Sequence, residues 1–125
     1  MSRTVLIVED TEPSRDTLEV ALMRIPGLAV RSVATAEEAM KCMAAEDVCA
    51  LVTDLHLPRM DGFELIQRVR AQPRISPFPI LVISGDTDPR TLARLAELGA
   101  DAYFPKPYSP AEVRQKLEEL LHGDS

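Results

Sequence analysis

Short uninterrupted apolar runs alternate along the chain with stretches in which apolar residues return every three or four positions. Val5-Leu6-Ile7-Val8 is the first run, the pattern of a strand buried on both faces. Leu18, Ala21, Leu22 and Ile25 follow at helical spacing, and Pro26-Gly27 marks the stop. Leu28 to Val33 reads as a second strand. Thr35 with Glu38 has the form of a capping box, and Ala36, Ala39, Met40, Met43 and Ala44 make the stripe behind it. A third strand runs from Ala50 to Thr53. Asp61-Gly62-Phe63-Glu64 is a second cap, with Ile66 and Val69 facing inward.

The stretch from Ala71 to Pro79 holds three prolines, which suits a loop and not a helix interior or central strand. Ile80 to Ile83 is the fourth strand and ends in Ser84. Asp88-Pro89 opens a helix with Leu92, Leu95 and Ala96 inward, and Gly99 closes it. Asp101 to Phe104 is a short fifth strand. Ser109-Pro110-Ala111-Glu112 starts a last helix with Val113, Leu117 and Leu120 on its inner face. Five βα units of this kind predict an α/β fold, a parallel sheet with helices on both faces.

Composition narrows the class. The 125 residues fit one domain, 1–125 with a core of about 4–121, and no shift in composition or repeat signals a second. A net charge of -6 disfavours direct contact with nucleic acid, which needs a basic surface. The two cysteines, Cys42 and Cys49, have neither redox-pair nor zinc-site spacing. No signal peptide precedes the first strand and no run approaches a membrane span, so a soluble, cytoplasmic protein is expected, without membrane contact.

The strand ends carry the chemistry. In a parallel sheet of this kind, ligands sit beyond the carboxyl ends of the strands. Strand one ends in Glu9-Asp10, strand three in Asp54, strand four in Ser84, and strand five is followed by Lys106-Pro107. Three carboxylates in one pocket repel one another and raise one another's pKa values. A hard divalent cation relieves this, and magnesium takes carboxylate, water and phosphate oxygens. Without a His/Cys cluster, zinc has no ligand set. A carboxylate such as Asp54 can accept a phosphoryl group, with Lys106 and the Ser84 hydroxyl on its oxygens. Taken singly, each residue also fits a plainer role: Glu9 or Asp10 as a helix cap, Ser84 as a strand-end hydroxyl, Lys106 as a surface lysine.

"LIVED", "LVTDLHLPRMDGFEL", "LVISGD" and "AYFPKP", in this order and spacing, resemble the response-regulator receiver domains of bacterial two-component signalling. The resemblance covers roughly Thr4 through Leu121. It implies a flavodoxin-like fold of five parallel strands in the order 2-1-3-4-5 with five helices. It implies Asp54 as phosphoacceptor and Asp10 as a direct ligand of Mg2+ (or Mn2+). Glu9 would act on the metal through water, and the His56 backbone carbonyl would be a further ligand. Ser84 and Lys106 would hold the phosphoryl oxygens, with a cis peptide before Pro107. Tyr103 would be the aromatic switch residue, turning inward when Ser84 moves to the phosphoryl group. His56 and Asp86 are candidate modulators of dephosphorylation, and Gly62 supports the turn after strand three.

The implied partners are a sensor histidine kinase or histidine phosphotransfer protein, and a downstream protein or an output domain outside this chain. A homodimer through the helix4-strand5-helix5 face is a family-based possibility. Such a domain catalyses only its own phosphorylation and dephosphorylation and is not otherwise an enzyme. Two rivals remain. One is a phosphorylation-independent interaction module of the same fold, which usually lacks an acidic or lysine position. The other is an aspartyl phosphohydrolase of the haloacid-dehalogenase type, which needs Asp-x-Asp where this chain has Asp54-Leu55-His56. No P-loop and no G-x-G-x-x-G follows the first strand, which disfavours a nucleotide enzyme.

Overall fold

The computed structural model describes residues 3–72 and 77–122. The elements are β1 (Arg3–Val8), α1 (Glu12–Leu22), β2 (Leu28–Val33), α2 (Ala36–Ala45) and β3 (Val48–Asp54). They continue with α3 (Gly62–Ala71), β4 (Ile80–Ser84), α4 (Pro89–Leu98), β5 (Ala102–Pro105) and α5 (Pro110–His122). All strand pairs are parallel and the order is β2-β1-β3-β4-β5.

Alternate residues of each central strand serve opposite faces. Leu6, Val8, Leu51, Ile80 and Val82 pack with Ala39, Leu65, Ile66 and Leu95, the inner faces of α2, α3 and α4. Val5, Ile7, Val52, Leu81 and Ile83 pack with Leu18, Leu22, Val113 and Leu117 of α1 and α5. That double burial is why these strands read as continuous apolar runs. Cys42 and Cys49 are both free and lie in opposite clusters, one on each side of the sheet.

The predicted caps form. Thr35 Oγ accepts the Glu38 N–H at 3.1 Å, and Asp61 Oδ1 accepts the Glu64 N–H at 2.9 Å. Asp88 Oδ1 accepts the Arg90 N–H at 2.9 Å, and Gly99 closes α4 with a φ of 94°. One detail differs from a full capping box: the Glu38 carboxylate meets the Thr35 hydroxyl at 3.1 Å.

Some boundaries and faces differ from the pattern. Helix α1 stops at Leu22, four residues before Pro26. The N–H groups of Arg24 and Ile25 bond back to Ala21 and Leu22 in tight turns, which swings Ile25 into the core from outside the helix. On α4, Leu92 is 40% exposed and Ala96 is exposed, so neither faces inward as expected. Only one edge of α4 meets the sheet, and Leu95 with Leu98 supplies it. Ala44 is exposed, and Cys42 and Met43 pack in its place. Strand β3 begins earlier than expected and includes Asp54, which pairs with Ile83. Of the proline-rich loop, residues 77–79 lie outside regular structure, and 73–76 fall outside the described residues.

Arg70 at the end of α3 ties the far edge together. Its guanidinium donates to the carbonyls of Phe78 at 2.9 Å and Gly99 at 2.7 Å, and to Asp101 Oδ2 at 3.1 Å. Asp101 Oδ2 also accepts the Ile80 N–H at 2.8 Å. One half-buried cation thus joins α3, the end of α4 and the starts of β4 and β5. Arg70→Met keeps the apolar stem and removes these bonds. The expected loss is about 1–2 kcal/mol, read as a lower urea midpoint with an unchanged m-value.

Candidate functional site

The carboxyl ends of β1, β3, β4 and β5 meet at one edge, as parallel strands require. Glu9 is the first residue past β1. Its backbone N–H bonds to Val33 O at 3.1 Å, and its side chain is fully buried. Glu9 Oε1 accepts the Thr11 N–H at 3.0 Å, while the Arg15 guanidinium donates to the Glu9 carbonyl at 2.9 Å. Thr11, the N-cap of α1, makes no side-chain cap bond, so the Glu9 carboxylate serves that helix start as well as the cleft. Asp10 stands exposed beside it.

Asp54 is 3% exposed. Its Oδ1 accepts the His56 N–H at 3.1 Å, and its Oδ2 lies 2.6 Å from Lys106 Nζ. Lys106 Nζ also reaches Glu9 Oε2 at 3.2 Å. The Thr53 hydroxyl donates to the Asp54 carbonyl at 2.8 Å. Gly62 explains itself here: a Cβ at that position would lie 2.4 Å from the Asp54 carbonyl oxygen and 2.7 Å from Leu55 Cα. Only glycine lets α3 start against the end of β3. The Gly62 N–H closes the turn by donating to Leu55 O at 2.9 Å.

Ser84 is buried at the end of β4. Its hydroxyl oxygen accepts the Asp86 N–H at 3.1 Å, and its carbonyl accepts the Lys106 N–H at 2.9 Å. The Lys106–Pro107 peptide is cis, as the resemblance implies. Tyr103 turns its hydroxyl to the loop after β4, donating to Ser84 O at 3.2 Å and to Asp86 O. His56 is exposed, and the Asp86 carboxylate bonds to the start of α4.

Glu9, Asp10 and Asp54 each offer a carboxylate oxygen, and these oxygens lie within 4.8 Å of one another. Burial, seconded by the charge of Asp54, pushes the Glu9 carboxyl up despite the Thr11 N–H and Lys106. Burial alone would lower Lys106, but the hydrogen bond and charge of Asp54, then Glu9, hold it above the ordinary lysine value. Three carboxylates against one ammonium leave a net negative pocket of oxygen donors. That donor set fits a hard divalent cation.

The sequence missed three supports of this site. Arg15 and Thr53 carry no motif, because they act on backbone carbonyls of their neighbours. Thr91, which bonds Asp86, looks like any threonine in a first helical turn.

A parallel sheet in this order, with an acidic cluster and a lysine at its carboxyl edge, defines a receiver-type signalling domain. The chain belongs to the response regulator receiver domain family, whose model matches residues 5–118. The transcriptional regulatory protein GltR of Pseudomonas aeruginosa is 34% identical over 119 residues, which are 95% of this chain and 49% of that protein. A chemotaxis protein CheY homolog of Campylobacter jejuni is 29% identical, over 94% of this chain and 91% of its own. The structure of the chemotaxis response regulator CheY4 of Vibrio cholerae superimposes with a TM-score of 0.85 at 26% identity, covering 96% of this chain and 99% of that one. The chain spans about half the length of the transcriptional regulators it matches. Receiver domains bind Mg2+ at an acidic pocket, and Glu9, Asp10 and Asp54 form such an acidic cluster here. Among the described residues, no helix is long and apolar enough to cross a membrane.

The raised Glu9 value has a signed consequence. A carboxyl with a higher pKa folded than unfolded holds its proton more tightly in the fold. Its stabilising share is full below the unfolded value and is lost as pH rises through the folded one. In metal-free buffer, the stability of wild type relative to Glu9→Gln is therefore expected to fall as pH rises from about 4 toward neutrality. Urea melts of both proteins across that range measure it.

Proposed function

We propose that this chain is a single cytoplasmic receiver domain that takes a phosphoryl group from a phosphohistidine onto Asp54. The observation that carries the reading is the buried Asp54 carboxylate, 2.6 Å from Lys106 Nζ, with oxygens of Glu9 and Asp10 in the same cluster. Asp10 and Asp54 would hold Mg2+ (or Mn2+) directly, with Glu9 acting through water and the His56 carbonyl as a further ligand. The cation, when bound, would offset the carboxylate charge and that of the incoming phosphoryl oxygens.

The chain's own groups supply the rest. The His56 N–H and Lys106 fix the Asp54 carboxylate from two sides, so that it is held in place before a donor arrives. An Asp54 oxygen attacks phosphorus. The O–P bond forms as the P–N bond of the donor breaks, and the imidazole leaves with the electron pair. Lys106 and the Ser84 hydroxyl would then bind phosphoryl oxygens. Movement of Ser84 toward the phosphoryl group would carry with it the Asp86 N–H bonded to its hydroxyl oxygen. The shift passes to Tyr103 and to the α4–β5–α5 face, which controls a downstream protein or output domain. The phosphoryl donor is a sensor histidine kinase or phosphotransfer protein. The domain catalyses only its own phosphorylation from that donor and its own dephosphorylation.

The test is intact mass after incubation with phosphoramidate, with and without Mg2+. One phosphoryl adduct is expected on the wild type with Mg2+, and none without Mg2+ or on Asp54→Asn. No adduct on the wild type with several donors would favour a phosphorylation-independent module. An adduct that persists on Asp54→Asn would place the acceptor elsewhere.

A further inference from the structure

The three carboxylates of the acidic cluster are not held alike. Asp54 is fixed by the His56 N–H at 3.1 Å and by Lys106 at 2.6 Å. Glu9 is fixed by the Thr11 N–H at 3.0 Å and by Lys106 at 3.2 Å. Among the described residues, nothing donates a hydrogen bond to the Asp10 carboxylate and no cation pairs with it. Asp10 is exposed, yet one of its oxygens lies within 4.8 Å of oxygens of both other acids. An aspartate side chain is short and takes few rotamers, so the place of its carboxylate follows the backbone it springs from.

That backbone is held by Arg15. From the first turn of α1 its guanidinium donates to the Glu9 carbonyl at 2.9 Å, the oxygen of the peptide that joins Glu9 to Asp10. A peptide group is planar, so a bond that fixes this carbonyl also fixes the nitrogen and Cα of Asp10. On one side the Glu9 N–H is tied to Val33 O at 3.1 Å, and on the other the Thr11 N–H is tied to the Glu9 carboxylate. Between these tethers, Arg15 supplies the bond to the Glu9–Asp10 peptide. Its choice of partner is informative. A guanidinium ordinarily takes a carboxylate through two parallel bonds. Among the described residues Arg15 makes no ion pair, and it gives its bond to a neutral carbonyl. The Asp10 oxygens therefore stay open to a metal. The Arg15 charge by itself disfavours a divalent cation nearby, so its hydrogen bond and its charge act on a bound cation with opposite signs.

We propose that Arg15 is a positioning residue for the metal site: by fixing the Glu9–Asp10 peptide, it holds the Asp10 carboxylate where it can close on a divalent cation together with Asp54. Arg15 touches neither the cation nor the phosphoryl group. The proposal rests on the cation-binding part of the reading above and not on phosphoryl transfer.

The test is cation binding, read as free Mn2+ by electron paramagnetic resonance at constant ionic strength with no phosphodonor. Arg15→Met keeps an apolar stem and removes both the donor and the charge. It should bind Mn2+ about tenfold more weakly than the wild type, the usual effect of losing a group that orients a metal ligand. Arg15→Gln, a shorter polar variant, should also weaken binding and gives the same reading should Arg15→Met fail to fold, which far-ultraviolet circular dichroism reports. In an Asp10→Asn background, Arg15→Met should weaken binding no further, because its route runs through Asp10. Loss of a positive charge alone predicts the opposite sign, tighter binding in both Arg15 variants. Equal or tighter binding in those variants, or the full tenfold loss repeated on Asp10→Asn, would overturn the proposal and leave the metal site standing. A wild type that binds no Mn2+ would overturn the metal-site reading and the proposal with it.

Discussion

Lys106 reaches across the carboxyl edge of the sheet to two carboxylates that burial has stripped of water. Its ammonium is 2.6 Å from Asp54 and 3.2 Å from Glu9. Removing the cation would leave two buried negative charges facing each other, a costly state. Keeping it leaves Asp10 and one further charge in excess, which a divalent cation can take up. Much of the rest serves this contact. Strands β1, β3, β4 and β5 bring their ends together, Gly62 lets α3 start against Asp54, and the bond from the Lys106 N–H to Ser84 O fixes where the lysine leaves β5.

The site is built from backbone as much as from side chains. The His56 N–H holds one oxygen of Asp54, and the Thr11 N–H holds one oxygen of Glu9. Amides in fixed loops give positioning that costs little reorganisation when charge arrives. The same economy appears at the far edge, where Arg70 gathers carbonyls from two connections.

The fold was legible because each central strand is buried on both faces, which writes itself as Val5 to Val8 and Ile80 to Ile83 with no polar interruption. Caps at Thr35, Asp61 and Asp88 were legible because a short polar side chain must meet a free N–H three residues or fewer ahead. The inner face of α4 was not. Leu92 sits at helical spacing from Leu95, yet the helix touches the sheet along too narrow an edge to cover both. The end of α1 was misjudged because Pro26 is a strong stop, while the real stop is made by turns that need no special residue. At the site, the acids and the lysine stood out through their place at strand ends. Thr91 and Arg15 did not, since their partners are known only once the loops are folded.

The central claim is that Glu9, Asp10 and Asp54 form a cation-binding site beside Lys106. Its most direct measurement is the thermal midpoint as Mg2+ is titrated into the wild type and Asp10→Asn. Binding to the folded state alone stabilises by about 2.7 kcal/mol at a hundredfold excess over Kd. The wild type should therefore rise in midpoint with saturating dependence on Mg2+, and Asp10→Asn should lose most of that rise. A wild type indifferent to Mg2+, or an equal rise in Asp10→Asn, would contradict the account.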